Sequence, residues 1–293
     1  MTVSILIAAY QAVRFLPAAL ACVAAQTGVK WELIAVEDGS QDGTEDVVRS
    51  FAAKHPANRI VYYNLGSNRG VAVARNRLLE LSCGEVVAFL DADDLWEPDH
   101  LASLTACLRE GGHALACTPI TLWDGDHQRP LGTYAPSPHQ IAKPRQELFR
   151  SSFIMTSTCV ALPRATTQRV GHFDESLRIG EDRDYWFRAV AGGGTLGLTG
   201  QPTARYTKHA GSSMTKTLRV AEDVVKFYQK HVAATDVPAP LQRAKLASAL
   251  VVQGRLLRAS EPRAAQGCFR RALSVQPWLP LAWVGWLATL TAR

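Results

Sequence analysis

The residues able to do chemistry in this 293-residue chain are carboxylates placed where apolar runs end. Glu37-Asp38 closes the run WELIAVED (31–38), and Asp91-Ala92-Asp93-Asp94 closes EVVAFLDAD (85–93). In an extended segment Asp91 and Asp93 share a face. Like charges held that close repel unless a cation joins them. A hard divalent ion, Mn²⁺ or Mg²⁺, takes one or two carboxylates and fills its shell with diphosphate oxygens and water. The competing reading is a solvated helix N-cap, because Glu97-Pro98 opens a helical stretch shortly afterwards. Asp38 on the same sheet edge favours the metal. No GxxxxGK[ST] loop occurs. Gly192, Gly194 and Gly197 spell GxGxxG, but after a helix rather than a strand, so they read as a helix C-cap and turn. A nucleotide here would be held by a metal and side chains.

The elements that must position these groups alternate. VSILIAAY (3–10), WELIAVED (31–38), RIVYYN (59–64) and EVVAFLDAD (85–93) read as strands. Helical patterns cover 15–26, about 44–54, 71–82 and 97–110. This βαβαβαβ order predicts an α/β fold with a mostly parallel central sheet, whose ligands bind beyond the carboxyl ends of the strands. The Pro-containing segment 124–145 reads as a long loop. TSTCVALP (156–163) and TLGLTG (195–200) read as strands, and 181–191 as a helix. Residues 219–234 and 238–293 read as helical. There Ala265, Phe269, Ala272 and Pro277 have the spacing of the second half of a tetratricopeptide unit, with Trp283 where the next unit's tryptophan falls. The alternative is an amphipathic helical hairpin.

Composition bounds the rest. Apolar residues make up 47% and charged residues 20%, which excludes a disordered or fibrous chain. Net charge is +6, unevenly spread: residues 1–216 carry 21 Lys/Arg against 22 Asp/Glu, whereas 217–293 carry 11 against 4. That basic segment lacks aromatic interleaving on its Arg-rich stretch, which argues against a nucleic-acid partner. Basic residues beside a Trp/Leu-rich helix suggest instead a peripheral membrane contact or a protein contact. The six cysteines show no CxxC and no regular spacing, as expected of buried free thiols. MTVSILIAAY lacks a basic region and a long apolar run, so a cytoplasmic protein is expected.

Seven segments in order resemble family 2 glycosyltransferases: SILIAAYQ (4–11), VEDGSQDGT (36–44), NRGVAVARN (68–76), FLDADD (89–94), VGHFDE (170–175), GEDRDYWFR (180–188) and RYTKHAGSSMT (205–215). The resemblance implies a GT-A nucleotide-sugar-binding fold as the catalytic domain, residues 1–216, followed by a small α-helical C-terminal region, residues 217–293. It implies an inverting transfer from a UDP-sugar, or another nucleotide-diphosphate sugar, to a glycan or lipid-linked acceptor. Asp38 then matches the aspartate that bonds the uracil imide, and Arg75 the arginine near the base. Ala8 and Tyr10 fall in the first nucleotide-binding segment, although Ala8 stands where the family has Pro or Thr and Gln11 where Asn is usual. For Tyr10 and Arg75 the alternatives are helix-face and core packing. Asp91 matches the carboxylate contacting ribose and sugar, and Asp93 the metal ligand.

Glu181-Asp182 matches the family's ED motif, with Asp182 as general base. The acceptor hydroxyl is a poor nucleophile until its proton is accepted during attack on the anomeric carbon, so a carboxylate is needed there. The helix dipole alone would also favour acidic residues at this point. Asp184 reads as a supporting or surface residue. His209 matches a histidine used by some members as a metal ligand or diphosphate contact, and Lys208, Ser212 and Ser213 accompany it. Trp186 could stack on a sugar or pack in the core. Two rival functions are a sugar-nucleotidyltransferase, for which AAYQAVRF lacks a Gly-rich basic loop, and a catalytically silent scaffold that binds a protein through its helical tail.

Overall fold

The computed structural model describes residues 1–209 and 217–290; Ser212 and Ser213 lie outside them. The chain divides into two compact units, one of Met1–Pro144 with Phe153–Ser213 and the other of Arg145–Ser152 with Met214–Arg293. The sequence placed residues 145–152 with the first.

The strands of the first unit are β1 (Thr2–Ala9), β2 (Lys30–Glu37), β3 (Ile60–Asn64), β4 (Val86–Phe89), β5 (Leu95–Trp96), β6 (Leu115–Cys117), β7 (Ile120–Asp124), β8 (Arg129–Tyr134), β9 (Val160–Pro163), β10 (Leu196–Leu198) and β11 (Ala204–Lys208). Its helices are α1 (Leu16–Ala24), α2 (Thr44–Lys54), α3 (Val71–Leu81), α4 (His100–Gly111), α5 (Pro138–Ala142), α7 (Arg164–Val170) and α8 (Glu181–Ala189), while α6 (Pro144–Arg150) leads into the second unit. A seven-stranded sheet runs β10-β6-β9-β4-β1-β2-β3. β1 lies parallel to both β2 and β4, and β2 parallel to β3. β1 and β2 are buried along nearly their whole length. That is why they read as continuous apolar runs rather than alternating ones.

The sheet is anchored at the end remote from the strand carboxyl termini by Glu32, which is buried on β2. Its carboxylate accepts from the Ser4 hydroxyl at 2.6 Å and from the backbone N–H groups of Cys83 and Gly84 at 2.6 and 2.9 Å. A buried charge satisfied this fully fixes the register of β1, β2 and the approach to β4.

Three expectations change. Segment 124–145 is not a loop: β7 and β8 pair antiparallel within a second sheet, ordered β5-β11-β7-β8, and α5 follows. Segment 156–163 becomes strand only from Val160, after a short 3-10 turn, and β9 runs antiparallel between β4 and β6. The fourth strand ends at Phe89, four residues early. Of the glycines in the GxGxxG stretch, Gly192 lies in a short 3-10 turn after α8 and Gly197 on β10; the turn is present, but the C-cap of α8 is Val190, not a glycine.

The second unit consists of helices: α9 (Leu218–His231), α10 (Ala239–Leu257), α11 (Pro262–Val275) and α12 (Pro280–Leu290), with residues 145–152. Leu148 and Phe149 are fully buried, and Phe149 meets Tyr228 edge-on at 5.1 Å. Ala265, Phe269 and Ala272, the residues with tetratricopeptide spacing, are all fully buried on α11. The Phe269 ring fits because Gly254 and Gly285 lack side chains: a Cβ at either position would overlap it. Phe269→Ala should therefore destabilise this unit by about 3–5 kcal/mol. Hydrogen exchange should show faster exchange across α10–α12 with β1, β2 and β4 unchanged; uniform protection would refute the wedge. No described helix is long and apolar enough to cross a membrane.

Candidate active site

Because β1, β2 and β4 are parallel, the loops that follow them meet at one sheet edge. The loop after β2 holds the loop after β1. Ser40 Oγ accepts from the Gln11 N–H at 3.0 Å and donates to the buried Glu37 carboxylate, while Asp42 accepts from the Val13 N–H at 3.0 Å. Gly39 has φ +78°, and a Cβ there would overlap the Ser67 backbone, so only glycine permits this approach.

Beside this crossing is a cavity of about 230 Å³ bordered by Ala8, Tyr10, Asp38, Asn68, Gly70 and Val71. Asp38 is 5% exposed. One carboxylate oxygen accepts from the Arg69 N–H at 2.6 Å and the other from the Gly70 N–H at 2.8 Å. A carboxylate oxygen has two acceptor positions, so each keeps one for a ligand. Gly70 has φ +98°, and the Arg178 guanidinium occupies the space a Cβ would need.

Arg75 does not border this cavity. It is buried on α3, where one guanidinium nitrogen lies 2.5 Å from Glu181 and another 3.3 Å from Asp91. Burial alone would lower its pKa, but the carboxylates of Glu181, Asp91 and Asp182 raise it, so it stays cationic. The residue expected near the base thus ties the loop after β4 to the first turn of α8.

That loop is not extended. Asp91–Asp94 forms a turn closed by a 3.0 Å bond from the Asp94 N–H to the Asp91 carbonyl, so the shared strand face expected for Asp91 and Asp93 is absent. The turn is held from inside. Asp94, 1% exposed, receives the Thr156 and Thr158 hydroxyls at 3.1 and 2.6 Å and the Thr207 N–H at 2.8 Å. Asp91 in turn lies 3.0 Å from the Thr156 hydroxyl. Sequence reasoning missed this role of the two threonines; their i, i+2 spacing in a polar stretch beside apolar strand was the available signal.

Asp93 is left outermost, its side chain 41% exposed and 4.0 Å from His209 Nε2. Burial, then the Asp91 charge, push its pKa up, with His209 opposing. Among the described residues no group of three or more such ligands is gathered at metal-binding distance. The donor types nevertheless suit a divalent ion: Asp93 would supply a carboxylate oxygen and His209 an imidazole nitrogen, with the remaining positions left to phosphate and water.

Glu181 and Asp182 open α8, whose first turn also contains Asp184. Glu181 is buried against Arg75, and burial pushes its pKa up to about 7 despite Arg75. Asp182 is half-buried and accepts from the adjacent Arg183 N–H at 2.6 Å. Burial raises its pKa too, with Arg75 opposing. Asp184 is not a surface residue: it is fully buried and paired with Arg188 at 2.8 Å. Trp186 is also fully buried, edge-on to Phe89 at 5.6 Å, which makes it core.

Comparisons with known proteins bear on the fold and the family. The chain is 36% identical over 94 residues to the UDP-Glc:alpha-D-GlcNAc-diphosphoundecaprenol beta-1,3-glucosyltransferase WfgD of Escherichia coli, covering 32% of this chain and 36% of that one. The fold matches S. aureus TarS 1-349 in complex with UDP-GlcNAc at a TM-score of 0.71, 19% identity, over 99% of this chain and 89% of that one. It matches the mannosyltransferase PcManGT from Pyrobaculum calidifontis, in complex with GDP-Man and Mn²⁺, at 0.62, 20% identity, over 99% and 79%. Both show the expected fold, a mostly parallel α/β architecture of GT-A type. The chain spans about half the length, or less, of several curated relatives it matches: 54%, 31% and 28%. Glycosyl transferase family 2 matches residues 4–171, more than half of the sequence, and the chain belongs to that family.

Proposed function

We propose that the protein is an inverting glycosyltransferase that moves a sugar from a UDP-sugar to a hydroxyl of a glycan or lipid-linked acceptor. The observation that carries this reading is the cavity at Asp38 sharing one sheet edge with two carboxylate groups, Asp91-Asp93 and Glu181-Asp182, bridged by Arg75. Ala8 and Tyr10 flank the base, and Asp38, oriented by two backbone N–H groups, accepts from the uracil N3–H. Asp91 contacts the ribose and sugar. Asp93 and His209 would hold Mn²⁺ or Mg²⁺, which when bound acts as a Lewis acid toward the diphosphate leaving group. Asp182 accepts the acceptor proton as its oxygen attacks the anomeric carbon. A single displacement from the side opposite the diphosphate inverts that centre. Glu181 holds Arg75 rather than contacting the acceptor.

UDP is favoured by the donors named for WfgD and for the TarS complex; GDP, the nucleotide in the PcManGT complex, is the competitor. A nucleotide-release screen over UDP-, GDP- and dTDP-sugars, with and without Mn²⁺, tests the reading through slow donor hydrolysis. Mn²⁺-dependent release from UDP-sugars is expected, and release from none of the three classes would refute it.

A sharper test uses free nucleotides. Cytosine N3 carries no hydrogen, and adenine has no imide to present to Asp38. A hydrogen bond to a charged acceptor contributes about 1.5–3 kcal/mol. UDP should therefore compete with UDP-sugar at least about tenfold better than CDP or ADP. Equal inhibition by all three would show that Asp38 does not read the base.

A further inference from the structure

We propose that the second unit docks onto an anionic lipid surface through the outer face of α12 and the arginines of its neighbouring helices. The inference does not rest on the reading of the active site.

The starting observation is that α12 is built inside out. Its buried positions are small, Ala282, Gly285 and Thr289, and Gly285 lies against the Phe269 ring. Most of its bulk faces outward: Leu281, Trp283, Val284, Leu287 and Leu290 are all exposed, Trp286 is half-buried, and Trp278 in the preceding turn is 91% exposed. A helix that serves only to pack turns its large apolar side chains inward. No charged residue interrupts PLAWVGWLATL. An apolar face of this kind marks a surface with a partner.

The charge identifies the partner. Residues 217–293 carry 11 Lys/Arg against 4 Asp/Glu. Arg255, Arg258, Arg263, Arg270 and Arg271 are all exposed, and none has a carboxylate within 4.0 Å among the described residues. Arg270 and Arg271 lie in the second half of α11, one turn before it ends at Val275, which places them nearer the α11–α12 turn and Trp278 than the start of α11. A nucleic acid would answer the arginines but not the Leu/Val face. A plain apolar groove would answer that face but not the arginines. The headgroup–acyl boundary of an anionic bilayer answers both, and tryptophan favours that boundary because its ring is apolar and its N–H polar.

The test is flotation of the full chain with vesicles of phosphatidylcholine containing phosphatidylglycerol, and with phosphatidylcholine alone. Binding to the anionic vesicles is expected at low salt, with little binding to the neutral ones and loss of binding in high salt as attraction is screened. Arg270→Glu with Arg271→Glu should lower the bound fraction by about tenfold or more, since each basic residue near such a surface contributes severalfold. Leu281→Ser with Val284→Ser and Leu287→Ser should lower it similarly. All five positions are exposed, and unchanged circular dichroism confirms folding of each variant. A full chain that stays out of the vesicle fraction at low salt overturns the proposal. So does a triple serine variant that floats like the parent, because the apolar face would then be idle. Light scattering supplies a third arm: a dimer that dissociates in the serine variant, without vesicle binding by the parent, would assign the face to a second copy of the chain.

Discussion

Replacing Asp182 with Asn is expected to lower sugar transfer by about 10²–10⁴-fold, the range lost with a general base, while UDP-sugar affinity is retained. The substitution is nearly isosteric. The Asn carbonyl can keep the 2.6 Å bond now received from the Arg183 N–H, so the first turn of α8 should not move. What disappears is the site that accepts the acceptor proton. Glu181→Gln is the control. Glu181 is buried at 2.5 Å from Arg75, and breaking a buried pair by removing one partner costs about 3–5 kcal/mol, so its first effect should be on stability. If Asp182→Asn retains transfer while Glu181→Gln abolishes it, in a protein still folded, the base is Glu181.

The pH dependence carries the same assignment. Burial raises the Asp182 pKa, and a base must be deprotonated to act. kcat/KM should therefore fall as pH falls through a value above that of an ordinary aspartate, and the residual activity of Asp182→Asn should lack that acid limb. Stability runs the other way. A carboxyl whose folded pKa lies above its unfolded one holds more protons in the folded state, so its contribution is present at low pH and lost as pH rises through the folded value. Asp182→Asn should accordingly be no less stable than the parent at pH 8. A substitution that removes activity and leaves Tm equal or higher separates a poised functional carboxylate from a structural one.

How much of this could be read in the chain depends on the range of the interactions involved. β1 and β2 were legible because strands buried on both faces are continuous apolar runs. The carboxylates at Asp38 and Asp93 were legible because a parallel sheet places all its strand ends on one edge. The bridging role of Arg75 was not legible because its partners, Asp91 and Glu181, are 16 and 106 residues away, and nothing local distinguishes a helix-face arginine from a bridging one. The end of β4 was misplaced for the same reason. Asp94 turns inward toward Thr158 and the Thr207 N–H, 64 and 113 residues distant, and the strand pattern cannot register that pull. In β7 and β8 the second sheet was hidden by composition: Arg129–Tyr134 is mostly exposed and contains Pro130 and Gly132, the residues that mark a loop.

The other large effect is expected at Asp93. Asp93→Ala should reduce Mn²⁺-dependent UDP affinity by no less than the roughly 10–100-fold lost when a mere supporting partner of a metal ligand is removed. His209 would remain as the sole protein ligand of the proposed pair, and a single neutral imidazole cannot replace a carboxylate for a hard ion. His209→Ala should cost less than Asp93→Ala. Asp91→Ala is the less informative variant, because Asp91 is also held by Arg75 and Thr156 and its loss would loosen the loop itself. Asp93 has neither of those ties. Without a cation its charge is opposed by burial and by Asp91, which raise its pKa, so Asp93→Ala in EDTA at about pH 7.5 should unfold no earlier than the parent. Calorimetry of UDP binding with Mn²⁺ and with EDTA measures the first effect, and thermal unfolding of the metal-free proteins the second. UDP affinity that is the same in parent and variant with Mn²⁺ present would remove Asp93 from the metal site. A lower melting temperature for the variant in EDTA would make it a structural residue, since a carboxylate that only holds its loop loses stability when deleted, whereas one kept in place for a cation relieves repulsion.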